Sequence, residues 1–184
     1  MSTRKLPNII ITGTPGCGKT SHCEQLVKEL PAFRHINVTD FAKVNDCYDG
    51  FDKERNCHIV DEDKLLDALE PVLREGANLI DWHSNDLFPE RLIDLVVVLR
   101  TDNTTLYERL EKRGYSESKI EENIDCEIME VILNEAREAY DSEIVVELQS
   151  NSIEEIDANV ERISAWIDSW ELNNPNGVSN ELSL

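Results

Sequence analysis

The sequence predicts an α/β protein in which a parallel sheet of five strands is flanked by helices. Three observations carry that prediction. Short apolar runs alternate with amphipathic helical stretches along the chain. The apolar runs show no polar alternation, as expected of strands buried on both faces. A glycine-rich segment, Gly13-Thr14-Pro15-Gly16-Cys17-Gly18-Lys19-Thr20, joins the first strand to the first helix and has the form G-x-x-x-x-G-K-[ST].

The elements follow in order. Asn8 to Thr12 is a β-branched run and reads as the first strand. Ser21 to Leu30 is helical, with Cys23, Leu26, Val27 and Leu30 at helical spacing. His35 to Val38 is a second strand. Thr39 or Asp40 caps a short helix that starts at Phe41. Asp46 to Asp52 is polar and turn-rich, a loop or mobile segment. Asp61 to Glu75 is a helix with Leu65, Leu66, Leu69, Val72 and Leu73 on one side and acids in its first turn. Pro71 should kink it and Gly76 should end it. Asn78 to Trp82 and Leu95 to Leu99 are the next two strands. A helix over Asn103 to Lys112 precedes a longer one from Glu117 to Tyr140. Ile144 to Leu148 is the fifth strand. Ile153 to Trp170 is a closing helix with Ile156, Val160, Ile163 and Ile167 on its apolar face. Residues 1–172 read as a single domain. Residues 173–184 are rich in Asn, Ser and Gly and read as a disordered tail.

The glycine loop carries the chemistry. A strand, a glycine turn and a helix N-terminus aim backbone N–H groups at one point, which makes an anion site. Gly13, Gly16, Cys17, Gly18, Lys19, Thr20 and Ser21 are therefore the expected nucleotide contacts. Lys19 reaches the β- and γ-phosphates of ATP, and the Thr20 hydroxyl ligates Mg²⁺. Cys17 reads as a small side chain tolerated in the loop. In a parallel sheet the ligand sits beyond the carboxyl ends of the strands, where this loop lies. Asp81 ends a strand of the same sheet and can hold Mg²⁺ directly or through water, or cap a turn. His83 shares its side of the strand if the extended geometry continues. Its imidazole can orient a water, relay a proton or contact a phosphate, or it is structural. Arg109 and Arg113 lie four residues apart at the end of a helix and face one way. Gly114 follows as a C-cap, so Arg113 stands at the mouth of a mobile segment.

Composition sets the bounds. The chain has 184 residues, 18 basic and 38 acidic, for a net charge of −20. That balance repels naked nucleic acid and favours either basic partners or plain solubility. No apolar run approaches the ~20 residues of a membrane span, and no secretory signal precedes the first strand. Cys17, Cys23, Cys47, Cys57 and Cys126 form no C-x-x-C pair, which points to a reducing compartment. Their spacings match no common zinc-ligand pattern. A GTPase switch is disfavoured because no N-K-x-D run occurs.

From about Asn8 to Trp170 the chain resembles the adenylate kinase isoenzyme 6 family, which includes coilin-interacting nuclear ATPase and fungal ribosome-assembly counterparts. The resemblance rests on Pro7-Asn8-Ile9 with Gly13 to Thr20, Ile36-Asn37-Val38, Tyr48-Asp49-Gly50 and Asp61-Glu62-Asp63. It continues through Asp81-Trp82-His83, Phe88-Pro89-Glu90-Arg91, Val98-Leu99-Arg100-Thr101, Leu106 to Leu110 and Arg113-Gly114-Tyr115. It implies the P-loop nucleoside monophosphate kinase fold, with a monophosphate-binding segment over 37–60 and a lid over 112–122. It implies AMP as phosphoryl acceptor, a Walker B pair in Asp81 and His83, and an ATP-contacting lid arginine in Arg113. It also implies work on the pre-40S particle and its 18S RNA, in nucleus and cytoplasm, through a basic small-subunit platform ribosomal protein. A monomer is expected. By similarity to short-lid adenylate kinases, Lys119 and Glu130 stand where arginines are usual. An acid cannot stabilise a transferring phosphoryl group, and Lys lacks the guanidinium fork. The pattern implies a modest kinase in which hydrolysis or conformational switching matters more than turnover.

Overall fold

The five apolar runs pair into one parallel sheet. The structure, a computed structural model, describes residues 2–182. β1 (Thr3–Arg4) is followed by β2 (Asn8–Gly13), the glycine loop and α1 (Lys19–Glu29). β3 (Arg34–Asn37) and α2 (Val38–Val44) come next, then a hairpin of β4 (Tyr48–Asp52) and β5 (Cys57–Val60). α3 (Glu62–Glu75) leads to β6 (Asn78–Asp81). After a connecting loop, β7 (Leu95–Arg100), α4 (Asn103–Lys112), α5 (Glu117–Ile128) and α6 (Val131–Ala139) lead to β8 (Val145–Gln149). α7 (Ile153–Asn173) and β9 (Val178–Ser179) complete the described chain.

The main sheet has the order β3-β6-β2-β7-β8. All its pairings are parallel. Side chains alternate across it. Ile9, Ile11, Leu79, Leu95, Val97 and Leu99 face α1, α4 and α7. Ile10, Ile36, Ile80, Val96 and Val98 face α2, α3 and α6. Burial on both faces explains why these strands are apolar without alternation. The register brings Ile11 opposite Asp81, and Asn37 opposite Asp81 on the other side. The carboxyl ends of β2, β3 and β6 therefore open at one place.

Three boundaries differ from the sequence reading, each for a physical reason. The short helix begins at Val38, not Phe41, because Asn37 caps it by accepting from the Asp40 N–H at 3.2 Å. The segment 46–52 is not simply a loop: β4 pairs antiparallel with β5, and Tyr48 stacks on His58 with ring centroids 4.5 Å apart. This ribbon is short and largely exposed, so no long apolar run marks it. α3 runs through Pro71 and ends at Gly76, as expected. Leu65, Leu69 and Leu73 on that helix are fully buried, and their packing outweighs the roughly 3 kcal/mol proline penalty. The long helix expected over 117–140 breaks at Glu130, which adopts φ 55° between α5 and α6.

The expected tail is also different. Through Leu182 it folds back, and β9 pairs antiparallel with β1, Thr3 opposite Ser179 and Arg4 opposite Val178. Asn180 is buried. It donates to the Arg74 carbonyl at 2.8 Å and accepts from Arg4 Nη1 at 2.9 Å. Asn174 and Asn180, two of the asparagines that suggested disorder, make specific side-chain hydrogen bonds here. Ser183 and Leu184 lie outside the described residues.

Candidate active site

The glycine loop runs from the end of β2 to the start of α1, and its shape demands glycine. Gly16 has φ 95°, and a Cβ there would lie 2.8 Å from Leu106 Cδ1. Gly18 has φ 88° and forms the left-handed N-cap of α1. Ser150 Oγ donates to the Cys17 carbonyl at 2.7 Å, which fixes the loop against the end of β8. Lys19 Nζ donates to the carbonyls of Gly13 at 2.8 Å and Thr14 at 3.3 Å. Burial lowers the Lys19 pKa, and the nearby Arg113 cation lowers it further.

Thr20 and Asp81 meet as the loop motif requires. Thr20 Oγ1 donates to Asp81 Oδ2 at 2.8 Å. Asp81 is 4% exposed at the end of β6. The imidazole beside that carboxylate belongs to His35, whose Nε2 lies 2.8 Å from the same oxygen. His35 was read only as a strand residue. Its proximity depends on the pairing of β3 with β6, which no local pattern reveals.

His83 stands elsewhere. β6 ends at Asp81 and the chain bends at His83, so the extended geometry does not continue. Among the described residues no hydrogen bond joins its ring to Asp81. The ring packs edge-on to Trp82, with centroids 5.5 Å apart, and the backbone carbonyl accepts from Thr12 Oγ1 at 3.3 Å. Desolvation and then the Lys19 ammonium hold its pKa below the ordinary histidine value. Both effects favour the neutral imidazole.

Arg109 and Arg113 flank the outer side of the loop. Arg109 Nη1 donates to the Gly16 carbonyl at 3.1 Å. Arg113 caps the C-terminus of α4. Together with Gly16, Gly18 and Ser21 they line an open cleft of about 320 Å³. On the other side, Thr20, His35, Asn37, Asp40 and Phe41 line a cleft of about 570 Å³. Thr20, in the lining of this second cleft, carries the bond to Asp81.

A second buried carboxylate was not anticipated. Glu127, on α5, is 3% exposed. It accepts from Thr14 Oγ1 at 2.6 Å, Arg100 Nε at 2.5 Å and the Thr101 N–H at 3.3 Å. Cys17 Sγ lies 3.8 Å from it. Burial and then this carboxylate push the Cys17 thiol up to about 11, so Cys17 stays protonated and inert. The available signal was an acid on an apolar stripe, since Ile120 and Ile124 precede Glu127 at helical spacing on the inward face.

Comparison with known proteins agrees with this geometry. The family described as "AAA domain" matches residues 9–130. The chain is 60% identical over 175 residues to "Adenylate kinase isoenzyme 6 homolog FAP7" of Saccharomyces cerevisiae, covering 95% of this chain and 89% of that protein. It is 55% identical to the Schizosaccharomyces pombe "Adenylate kinase isoenzyme 6 homolog", covering 92% of this chain and 97% of that protein. Among solved structures, the YorR protein of Bacillus subtilis in complex with phosphorylated GDP superposes with a TM-score of 0.59 at 18% identity, over 87% of this chain and 95% of that one. The shikimate kinase of Bacteroides thetaiotaomicron gives 0.50 at 16% identity, over 91% and 99%. These likenesses show the fold. The five-stranded parallel sheet flanked by helices is the P-loop kinase fold, and its loop binds nucleotide. This chain, a phosphotransferase of the nucleotide kinase class with an AAA domain over residues 9–130, belongs to the adenylate kinase isoenzyme 6 family.

Proposed function

We propose that this protein transfers the γ-phosphoryl group of ATP to AMP, yielding two ADP, and also hydrolyses ATP. One observation carries the reading: the glycine loop borders two clefts, one lined by Gly16, Gly18, Arg109 and Arg113, and one lined by Thr20, which bonds Asp81, with His35, Asn37 and Phe41. A donor nucleotide fits the first and an acceptor monophosphate the second. The relatives' names supply adenylate as the acceptor.

Thr20 and Asp81 suit Mg²⁺ because both offer hard oxygen donors, 2.8 Å apart. Held by these two residues, Mg²⁺ would supply charge neutralisation for the phosphates. The protein groups do the rest. The loop N–H groups and Lys19 hold the phosphates. Arg113 neutralises charge that develops on the transferring group. Segment 112–122 closes over the donor and excludes water. His83, its neutral form favoured by burial and by the Lys19 charge, orients the attacking water in hydrolysis. The arginine supply is thin. Lys119 Nζ sits over the Tyr115 ring at 4.4 Å, and Glu130 lies 3.5 Å from Arg100. Both observations favour slow turnover.

Purified protein with ATP, AMP and Mg²⁺ is expected to form ADP in an AMP-dependent manner, and Lys19→Ala is expected to reduce this to background. Wild-type ADP formation no greater than that of Lys19→Ala overturns the kinase reading.

A second reading is favoured by the charge of −20. Here ATP binding and hydrolysis drive release or capture of a basic small-subunit ribosomal protein during pre-40S maturation and 18S RNA processing, in nucleus and cytoplasm, and AMP is incidental. Pull-down of that protein at moderate salt, with and without nucleotide, tests it. No capture in either state sinks it.

A further inference from the structure

We infer that Cys23, His35 and Asp81 form a binding site for a borderline-soft divalent cation, zinc or its spectroscopic stand-in cobalt, distinct in chemistry from the magnesium position it adjoins. One ligand atom from each of the three lies within 4.8 Å of the other two. His35 Nε2 and Asp81 Oδ2 are already 2.8 Å apart. Cys23 is fully buried on α1, one turn beyond Thr20, and Asp81 is nearly so. A tetrahedral zinc with bonds of ~2.0–2.3 Å holds its ligand atoms ~3.3–3.8 Å from one another. Shifts of about 1 Å or less per side chain therefore close the cluster to that geometry.

The donor set decides which ion enters. Magnesium takes oxygen ligands in octahedral array and binds thiolate poorly. Sulfur, imidazole nitrogen and one carboxylate oxygen select zinc or cobalt. Access comes through the cleft beside Thr20 and His35, which also supplies water as a fourth ligand. The exchange balances simply. The dication enters, Cys23 releases its thiol proton to solvent, and His35 carries its remaining proton on Nδ1 so that Nε2 can coordinate. No redox partner is involved. No two of the three residues share a local ligand spacing. They come from α1, β3 and β6, and the fold assembles them.

Occupancy takes Asp81 away from Thr20. On the kinase reading, zinc at this site therefore inhibits phosphoryl transfer. The decisive test does not depend on that reading, because it uses metal alone without nucleotide. Cobalt(II) is titrated into protein freed of metal under a non-thiol reductant, and absorption is followed. A thiolate-to-cobalt charge-transfer band with tetrahedral ligand-field bands is expected, saturating at one ion per chain and bleached by zinc. Cys23→Ser is expected to abolish the charge-transfer band. His35→Gln is expected to keep it with affinity weakened at least roughly tenfold. Circular dichroism and melting of both variants check folding, and His35→Gln serves if Cys23→Ser does not fold. No charge-transfer band in the wild type overturns the inference. So does a band unchanged in Cys23→Ser, which would place the metal on Cys57 or Cys126, or an affinity unchanged in His35→Gln.

Discussion

Replacing Glu127 with Gln tests whether the glycine loop is held from outside by α5, the helix that begins within segment 112–122. The carboxylate takes three hydrogen bonds in a nearly dry setting, from Thr14, Arg100 and Thr101. Hydrogen bonds to a charged group contribute ~1.5–3 kcal/mol, and breaking a buried ion pair outright costs about 3–5 kcal/mol. Gln keeps a carbonyl that can still accept from one donor, and Arg100 retains Glu147 at 3.4 Å and Glu130 at 3.5 Å. Those two acids are more exposed and are screened by solvent. The expected loss is therefore about 1.5–3 kcal/mol, or roughly 3–12 °C in melting temperature for a chain of this size. Thr14 loses a charged acceptor at the same time, so the loop loosens and ATP binding weakens about three- to tenfold. Differential scanning fluorimetry and nucleotide titration measure the two effects. The exposed acid Glu121→Gln is the control and should stay within about 0.5 kcal/mol of wild type. Glu127→Gln that melts and binds ATP like this control refutes the reasoning.

Two further predictions concern stability. Arg4 makes a bidentate pair with Asp94 at 2.6 and 2.8 Å, with side chains 2% and 7% exposed. Arg4→Met leaves Asp94 buried without its cation and is expected to cost about 3–5 kcal/mol in urea unfolding, whereas a cost below about 1 kcal/mol shows the terminal clip to be marginal. His22 is fully buried, with Nδ1 2.7 Å from the Gly18 carbonyl and Nε2 3.2 Å from Asn159 Nδ2. Burial lowers its pKa, so the folded protein resists a proton that the unfolded chain accepts. Its contribution is complete above about pH 6.5 and is lost as pH falls through that value toward the lower folded pKa. His22→Gln should flatten this part of the stability–pH curve, and an unchanged slope contradicts the assignment.

The legible parts of this protein were those with local signatures. The strand β2, the loop at Gly13 to Thr20 and the start of α1 are contiguous, and their chemistry follows from order along the chain. Asp81 was legible because it ends an apolar run. His35 was not, because its value comes from the pairing of β3 with β6. The position of His83 was not legible for a related reason: its spacing from Asp81 puts the two on one side only while the strand continues, and the strand stops at Asp81. The tail at 173–182 has the composition of a disordered segment. Arg4 and Asn180 meet from opposite ends of the chain, and no local reading can see that contact.

Glu130 ties these differences together. Ile120 of α5 packs into the cluster on one face of the sheet, with Leu99, Leu106 and Leu110. Ile132, Leu133 and Ala136 of α6 pack into the cluster on the other face, with Ile10, Val96 and Val98. One straight helix cannot bury its apolar stripe on both sides of a sheet. The chain must turn as it passes the strand ends, and the left-handed residue at Glu130 makes the turn. Glu127 sits one helical turn before it, at the point where the crossing chain passes the glycine loop. The same crossing that forces a strained backbone at Glu130 thus delivers the carboxylate that holds Thr14. The sequence periodicity of 117–140 is continuous through this region because both halves are amphipathic. What changes at Glu130 is the direction of the buried face, and that is set by the sheet.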